Sequence, residues 1–471
     1  MTFSVVVKED CATCQLVIPV IEQIKRNLGL LIYCQDDAQF PPDFSVVNDL
    51  ELEFSWRSGV ETVPTLIRFD TEGKEVGRVV GWDRSEWQEL TGISLGADLP
   101  AFRPGCGSKT QDPGMPEKLA ARFDKDKLTS RELKISQEED VVEACFDRGW
   151  SDGLPVVPPT PERVIRMLTG TNRLVDEVVG LIPPDLAPCT IEKIAINAVL
   201  AGCKPEYLPV VIAAVEAVLQ DEFCMHGLLA TTYYSGPMIL VNGPLSRAIG
   251  MNSRGNVLGQ GNRANATIGR ALQLVIRNVG GGRPGGVDRS VFGNPGKYTF
   301  CFAEDETNSC WESLAVERGF SESASTVSLF AADGMQGIVD QKSRDPESLS
   351  RSFAAALRVV GHPKMVLASD VLLVVSPEHE RVYQQANWSK GDVKNRLNQL
   401  LTIEGSSLIE GADGIAEGIP EKLSGKKLPK FRKGGLNIVR AGGSAGMFSA
   451  IIAGWGASGS TGSTMVTREI M

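Results

Sequence analysis

Residues Phe3-Ser-Val-Val-Val-Lys8, followed closely by Cys11-Ala-Thr-Cys14, decide the fold of the first part of the chain. The first run is short, apolar and rich in β-branched residues, which predicts a buried β-strand. The second cysteine opens an amphipathic segment, residues 14–28, that has the periodicity of a helix. A strand that ends just before a C-x-x-C pair, with a helix beginning at that pair, indicates an α/β domain.

The elements predicted downstream extend this pattern through residue 93. They are a strand at 30–33, a helix at 44–58, a strand beginning at Pro64, a strand at 74–82 and a helix at 85–90. The predicted order is therefore β-α-β-α-β-β-α.

The C-x-x-C pair carries the clearest chemistry. Free N–H groups and the partial positive charge at a helix N-terminus stabilise a thiolate, so Cys11 is the predicted nucleophile. Cys14 lies one turn further on, near enough to attack a mixed disulfide, and is the predicted resolving cysteine. The alternative is a metal site, which needs a second Cys or His pair at zinc spacing, and residues 1–93 contain none. We predict no metal and no other cofactor.

Two further motifs accompany the cysteines. Val63-Pro64-Thr65 precedes an apolar strand, and glycines follow at Gly77 and in Gly81-Trp82. With these motifs, residues 1–93 resemble the thioredoxin superfamily. The resemblance implies that Pro64 is a cis-proline beside the cysteines and that the backbone of Val63 contacts a substrate peptide. The dipeptide between the cysteines is Ala-Thr rather than Gly-Pro, and no Trp precedes them, which leaves the direction of electron transfer open.

The composition changes after residue 93. Residues 94–135 are rich in Gly, Pro and charged residues, which predicts a connector. Within it, Cys106 lies between two glycines that keep it accessible, and nearby Arg103 and Lys109 predict a lowered pKa for its thiol. Cys106 is thus a third predicted catalytic residue, either the thiol that Cys11 reduces or the carrier of a persulfide. An incidental loop cysteine is the alternative.

Residues 136–471 are predicted to form a large α/β domain. Segments 238–247 and 371–381 both consist of an apolar strand, a small polar break, a proline and a charged stretch. This echo indicates either two lobes or the ordinary sequence of a strand-to-helix turn. The predicted fold class of the whole chain is α/β, with a thioredoxin-like domain at 1–93, a connector at 94–135 and the large domain at 136–471.

Two groups in the large domain are candidates for function. Histidine side chains titrate near neutrality, so His226 is a candidate acid–base catalyst. The alternative is an interior histidine whose ring nitrogens are hydrogen-bonded within the fold. A Gly/Asn-rich loop leads into a predicted helix at 267–278, whose free N–H groups suit a carboxylate, phosphate or enolate. The substrate-binding residues predicted there are Gly259, Gly261, Asn262, Arg263, Asn265 and Arg270. A purely structural loop is the alternative.

Several motifs of the large domain resemble those of a bacterial protein family. They are Asp152-Gly-Leu-Pro-Val-Val-Pro-Pro-Thr160, Ile196-Asn-Ala-Val-Leu-Ala-Gly-Cys-Lys-Pro-Glu-Tyr-Leu-Pro-Val210, Gly261-Asn-Arg-Ala-Asn-Ala-Thr-Ile-Gly-Arg-Ala271 and Pro295-Gly-Lys-Tyr-Thr-Phe300. The resemblance implies no activity and no catalytic residues.

Composition limits the partners. A net charge of −10 argues against nucleic acid or an anionic membrane surface as the main partner. The sequence contains no run of about 18 apolar residues, so we expect no membrane span. No signal peptide is visible, and we therefore expect a cytoplasmic protein. Ten cysteines in 471 residues are too sparse for a disulfide scaffold and predict mostly free thiols.

Together these features predict a thiol-dependent redox enzyme. Cys106 would relay electrons or sulfur from the C-x-x-C pair to a cleft lined by His226 and residues 259–270. Its expected partners are a small-molecule or protein thiol or disulfide and an external thiol reductant, and self-association is left open. The first alternative is an enzyme of carbon–sulfur or carbon–metal bonds that uses a cysteine persulfide or thiolate. The second is a redox-regulated binding protein without turnover.

Overall fold

The chain folds into two compact units, Met1–Lys127 and Leu128–Met471. The computed structural model describes residues 2–124, 128–136, 138–307, 309–455 and 462–471. Each unit contains a mixed β-sheet with helices, so the predicted α/β fold class is confirmed. No helix within the described ranges is both long and apolar enough to cross a bilayer.

The first unit is built on a five-stranded sheet. Its elements are β1 (Thr2–Val7), α1 (Ala12–Leu16), α2 (Ile18–Asn27), β2 (Leu30–Cys34), β3 (Val47–Asn48), α3 (Glu53–Arg57), β4 (Thr62–Val63), β5 (Thr65–Phe69), β6 (Glu75–Val80), β7 (Trp82–Asp83), α4 (Arg84–Thr91), β8 (Phe102–Arg103), β9 (Cys106–Gly107) and α5 (Met115–Phe123). The strand order is β3-β2-β1-β5-β6, with β1 parallel to β2 and antiparallel to β5. The central strand β1 is buried from Phe3 to Val7, as its apolar run predicts.

Two predicted helices of this unit differ in the structure. The helix expected at 14–28 is divided at Val17 into α1 and α2, and it already begins at Ala12. The helix expected at 44–58 is reduced to α3, because the carboxylate of Asp49 accepts hydrogen bonds from the backbone N–H groups of Phe54 and Ser55 and fixes a late start.

Most of the segment predicted as a connector is folded as part of the first unit. Strand β8 pairs with β7, and β9 pairs with β4. The indole N–H of Trp82 donates to the carbonyl of Pro100 at 2.7 Å. The first unit therefore extends beyond residue 93, and residues 125–127 of the predicted connector lie outside the described residues.

The second unit contains a seven-stranded mixed sheet. Its elements are α6 (Val141–Asp147), α7 (Pro161–Leu168), β10 (Val178–Ile182), β11 (Ala187–Thr190), α8 (Ile191–Ala201), α9 (Leu208–Val218), α10 (Met225–Ala230), β12 (Gly236–Asn242), α11 (Pro244–Ala248), α12 (Arg263–Asn278), β13 (Cys301–Ala303), α13 (Leu314–Glu317), β14 (Thr326–Val339), α14 (Pro346–Arg358), β15 (Val371–Val375), α15 (Pro377–Gln385), α16 (Lys390–Leu400), β16 (Thr402–Glu404), β17 (Lys427–Pro429), β18 (Leu436–Arg440), β19 (Phe448–Gly454) and β20 (Val466–Glu469). The sheet order is β13-β12-β14-β19-β15-β18, and β20 also pairs with β14.

The two halves of this sheet have the same connectivity. In the first half, β12 is parallel to β13 and antiparallel to β14. In the second half, β15 is parallel to β18 and antiparallel to β19. The strands β14 and β19 pair with each other and join the halves. The sequence echo at 238–247 and 371–381 thus marks the first strand of each half, and the two halves belong to one sheet.

Strand β19 is not predicted from the sequence. It lies in the Gly/Ser/Ala-rich tract at 441–464, of which residues 456–461 lie outside the described residues. Small residues have weak strand propensity, but β14 and β15 on either side supply hydrogen-bonding partners along this strand. Helix α15, which Ser376 caps, follows β15 directly, as α11 follows β12, so the echo also corresponds to a strand-to-helix turn.

A substitution at Gly243 tests the packing of the turn between β12 and α11. Its φ is +90°, and a Cβ there would lie 2.2 Å from the carbonyl oxygen of Ala324. We expect Gly243→Ala to lower the free energy of unfolding of the second unit by roughly 2–4 kcal/mol, because it adds backbone strain to a steric clash. Urea denaturation followed by circular dichroism measures this change.

Gly250→Ala is the matched control. Gly250 also has a positive φ, +71°, but nothing lies within 4 Å of its added Cβ. It should cost only the conformational term of about 1 kcal/mol. Equal losses for the two variants would contradict the packing described at Gly243.

Candidate active site

Cys11 lies between the end of β1 and the start of α1. It is the N-cap residue of α1, with extended backbone angles, and its sulfur accepts a hydrogen bond from the backbone N–H of Cys14 at 3.3 Å. Both cysteines are fully buried. The strand therefore delivers one sulfur to the free N–H groups of the first helical turn, as the sequence pattern predicts.

The two thiols of the pair differ strongly in acidity. The hydrogen bond with the Cys14 thiol is the main cause that lowers the pKa of Cys11 to about 5, and bonds from the Cys106 thiol and from the N–H groups of Cys14 and Thr13 add to it against the effect of burial. Burial raises the pKa of Cys14 far above its ordinary value. At neutral pH Cys11 is a thiolate and Cys14 a thiol, which supports the roles predicted for them.

Cys106 lies beside Cys11. It belongs to residues 102–107, which we call the Cys106 segment. The segment is attached at two short ladders, where Cys106 pairs with Val63 and Arg103 pairs with Trp82. The hydroxyl of Thr13 donates to the carbonyl of Pro104 at 2.7 Å. These contacts bring the Cys106 thiol close enough to the Cys11 sulfur for each group to shift the pKa of the other.

The acidity predicted for Cys106 is wrong. Its pKa is raised rather than lowered, first by burial and second by the hydrogen bond that its thiol makes with Cys11. Lys8, not Arg103 or Lys109, is the cation that favours its thiolate. Cys106 is half-buried, so it combines partial access to solvent with a neutral thiol that donates to Cys11.

The backbone at Val63 and Pro64 is arranged differently from the expectation for a substrate contact. The Val63–Pro64 peptide bond is cis, and the carbonyl oxygen of Val63 lies 3.6 Å from the Cys11 sulfur. The backbone edge of Val63, however, is paired with Cys106 of the same chain. The position predicted for a substrate peptide is therefore occupied by the Cys106 segment.

Thr13 is a site residue that the sequence reasoning missed. It is buried, and its hydroxyl anchors the Cys106 segment through Pro104. The available signal was a hydroxyl residue in place of an apolar one between the two cysteines. Its partner, however, is 91 residues away in sequence, so the pattern alone did not show the contact.

His226 lies on the surface of the second unit. It is exposed on α10, and it is not among the described residues that line the two cavities of about 820 and 490 Å³ in the second unit. The three cysteines belong to the first unit and His226 belongs to the second. Cys145, Cys189 and Cys203 are buried thiols in the core of the second unit.

The polar residues predicted to bind substrate at 259–270 are bonded within the second unit instead. The side chain of Asn262 caps α12 by accepting from the N–H of Asn265. Arg263 donates to the carbonyl of Gly202. These bonds orient the two side chains within the second unit, and the predicted substrate-binding role stays a prediction.

The remaining predicted residues make hydrogen bonds, form a turn or line a cavity. Asn265 exchanges hydrogen bonds with the backbone of Asn252, and Arg270 forms a bidentate ion pair with Asp152. Gly261, with φ of +112°, gives the turn before the helix cap. Gly259 lines the larger cavity of the second unit.

Comparisons with known proteins add no relative. No protein-family model matches the chain, and no curated protein matches it. Within the described ranges, no group of three or more His, Cys, Asp or Glu side chains is arranged to bind a metal ion.

A substitution at Gly105 tests the placement of the Cys106 segment. A Cβ at Gly105 would lie 2.4 Å from the Thr62 side chain and 2.7 Å from the Val63 carbonyl oxygen. We expect Gly105→Ala to separate β9 from β4 and to cost roughly 1–3 kcal/mol. Amide hydrogen exchange of peptides covering residues 60–108 should become faster. Gly107→Ala is the control, because nothing lies within 4 Å of its added Cβ; similar exchange in both variants would contradict the ladder.

The acidity of Cys11 is testable by titration. Thiolate absorbance of the reduced protein should rise with pH through a midpoint of about 5. Cys14→Ala removes the main donor and should move the midpoint to roughly pH 6–7, since a hydrogen bond to a charged group contributes about 1.5–3 kcal/mol. Cys106→Ala should move the midpoint upward by less. Cys310→Ala, at an exposed thiol of the second unit, should leave it unchanged. A midpoint near the ordinary thiol value in the unsubstituted protein would rule out the described hydrogen bonds.

Proposed function

We propose that the first unit is a thioredoxin-like thiol–disulfide exchange domain and that Cys106 is its built-in substrate. The pairing of Cys106 with Val63 carries this proposal, because it presents the Cys106 sulfur to Cys11 along the backbone edge predicted to contact a substrate peptide. The low pKa of Cys11 and the raised pKa of Cys106 fit an attacking thiolate and a sulfur that is attacked.

Exposure supports the same direction. The Cys11 sulfur is fully covered, whereas Cys106 is half-buried. An external disulfide therefore meets Cys106 first. The Cys106 thiol loses its proton to solvent and its sulfur attacks that disulfide, which forms a mixed disulfide on Cys106 and releases the other half of the compound as a thiol.

The following steps need only the three cysteines. The Cys11 thiolate attacks the sulfur of Cys106, the bond between Cys106 and the substrate sulfur breaks, and the substrate leaves as a thiol. Cys14 then loses its proton and attacks Cys11, which releases the Cys106 thiolate and leaves a Cys11–Cys14 disulfide. An external dithiol reduces that disulfide and supplies the two electrons of the cycle. A persulfide on Cys106 would enter the same sequence with hydrosulfide as the leaving group.

A thiol cycle of this kind requires a reducing compartment, and we place it in the cytoplasm with a small-molecule or protein disulfide as substrate. Because Cys106 belongs to the same chain as Cys11, its effective concentration at Cys11 is high.

A trapping experiment tests the proposal. The Cys14→Ser variant, reduced and then treated with one equivalent of oxidised glutathione, cannot complete the second exchange. Because Cys106 lies within reach of the Cys11 sulfur, we expect a Cys11–Cys106 disulfide by peptide mass spectrometry. The unsubstituted protein should give the Cys11–Cys14 disulfide instead.

Two further variants separate the outcomes. Cys106→Ser should slow oxidation of the Cys11–Cys14 pair by roughly tenfold or more, because the covered Cys11 sulfur loses its exposed partner. Cys310→Ala should match the unsubstituted protein. Glutathione found only on Cys11 in the Cys14→Ser variant, with no bond to Cys106, would overturn the proposal.

A further inference from the structure

The second unit contains a cavity of about 820 Å³ between the two halves of its sheet. One wall is formed around the carboxyl ends of the parallel strands β15 and β18, at Ser376 and Gly442. The opposite wall comes from the first half and includes Leu258, Asn294 and Phe300. The volume suits a small organic ligand, and the carboxyl ends of parallel strands are a common place for one.

Asp333 is the only ionisable residue among the described residues that line this cavity. It lies at an irregularity of β14, where the pairing with β19 is interrupted between Ala332 and Met335. The next residue, Gly334, has a φ of +123°, which a side chain would strain. Such bulges change the direction of a side chain and are frequent beside binding sites. The local backbone thus places one carboxylate in the cavity wall.

The protein holds this carboxylate in place without neutralising it. The hydroxyl of Tyr233 donates to Oδ2 of Asp333 at 2.8 Å, and the ring of Tyr233 stacks on Tyr234 with a centroid distance of 4.4 Å. No Lys, Arg or His is among the described lining residues. Burial accordingly raises the pKa of Asp333 to about 6. A carboxylate that is fixed, partly desolvated and unpaired favours a cationic ligand.

The rest of the lining suits the body of such a ligand. Leu258, Phe300, Met335 and Phe448 provide apolar and aromatic surface. Asn294 donates its amide N–H to the carbonyl of Tyr234, while its buried Oδ1 has no hydrogen-bond partner. The lining therefore combines one carboxylate with apolar and aromatic surface, whose ring faces attract cations.

We propose that this cavity binds a small organic amine, with its ammonium group at Asp333 and its apolar or aromatic body against the surrounding wall. This proposal is independent of the thiol chemistry of the first unit. It gives the second unit a ligand class that the motifs in its sequence did not show.

Isothermal titration of the full-length reduced protein tests the ligand class with three probes. Phenethylamine is cationic, phenethyl alcohol is its neutral counterpart, and phenylacetate is anionic. We expect phenethylamine to bind at least roughly tenfold more tightly than the alcohol, a difference of about 1.4 kcal/mol, and we expect phenylacetate not to bind, because Asp333 attracts a cation and repels an anion. Equal affinity for the amine and the alcohol, or tighter binding of phenylacetate, would overturn the proposal without any variant.

Two substitutions then locate the site. Asp333→Asn keeps the size of the side chain and should weaken phenethylamine binding by about tenfold or more, with little effect on the alcohol. Asp288→Asn is the matched control, because Asp288 lines the neighbouring cavity and is already paired with Lys297 at 2.6 Å. It should change the affinity less than about twofold. Circular dichroism checks that both variants fold. A larger effect of Asp288→Asn than of Asp333→Asn would place the amine elsewhere and refute the assignment.

Discussion

The hydrogen bonds that converge on the sulfur of Cys11 are the interaction on which the candidate active site depends. Two thiols and two backbone N–H groups lower the pKa of this buried sulfur. Burial alone would favour the neutral thiol, so the thiolate exists only because its neighbours donate to it. One donor, Cys14, comes from the same helical turn, whereas Cys106 is supplied by a segment that must first pair with Val63.

This dependence explains why the chain around Cys106 is fixed so closely. A flexible connector would place the Cys106 thiol near Cys11 only part of the time. Two short ladders and the Thr13 hydroxyl hold it there instead. The same pairing covers Cys11 and leaves Cys106 as the more accessible thiol. Acidity and access are thus divided between two neighbouring sulfurs, which favours a relay over direct attack by Cys11 on an external substrate.

The sequence predicted the local parts of this arrangement and missed the parts that depend on distant residues. The buried strand before Cys11 and the helix after it follow from apolar periodicity and capping, and both are confirmed. The raised pKa of Cys106 was not predictable, because it arises from burial against residues far away in sequence. In the second unit, the polar side chains at 262–270 matched the pattern of an anion site, but the fold uses them for a helix cap and an ion pair. Asp333 gave no signal, since a single acidic residue in an apolar strand acquires meaning only from the cavity around it.

The order in which disulfides form tests the central claim most directly. Reduced full-length protein would be mixed with oxidised glutathione, quenched with acid at increasing times, and analysed by peptide mass spectrometry. A relay through Cys106 predicts that a Cys106–glutathione adduct and then a Cys11–Cys106 disulfide appear before the Cys11–Cys14 disulfide accumulates. A Cys11–glutathione adduct that converts directly to the Cys11–Cys14 disulfide, with Cys106 reduced throughout, would contradict the relay.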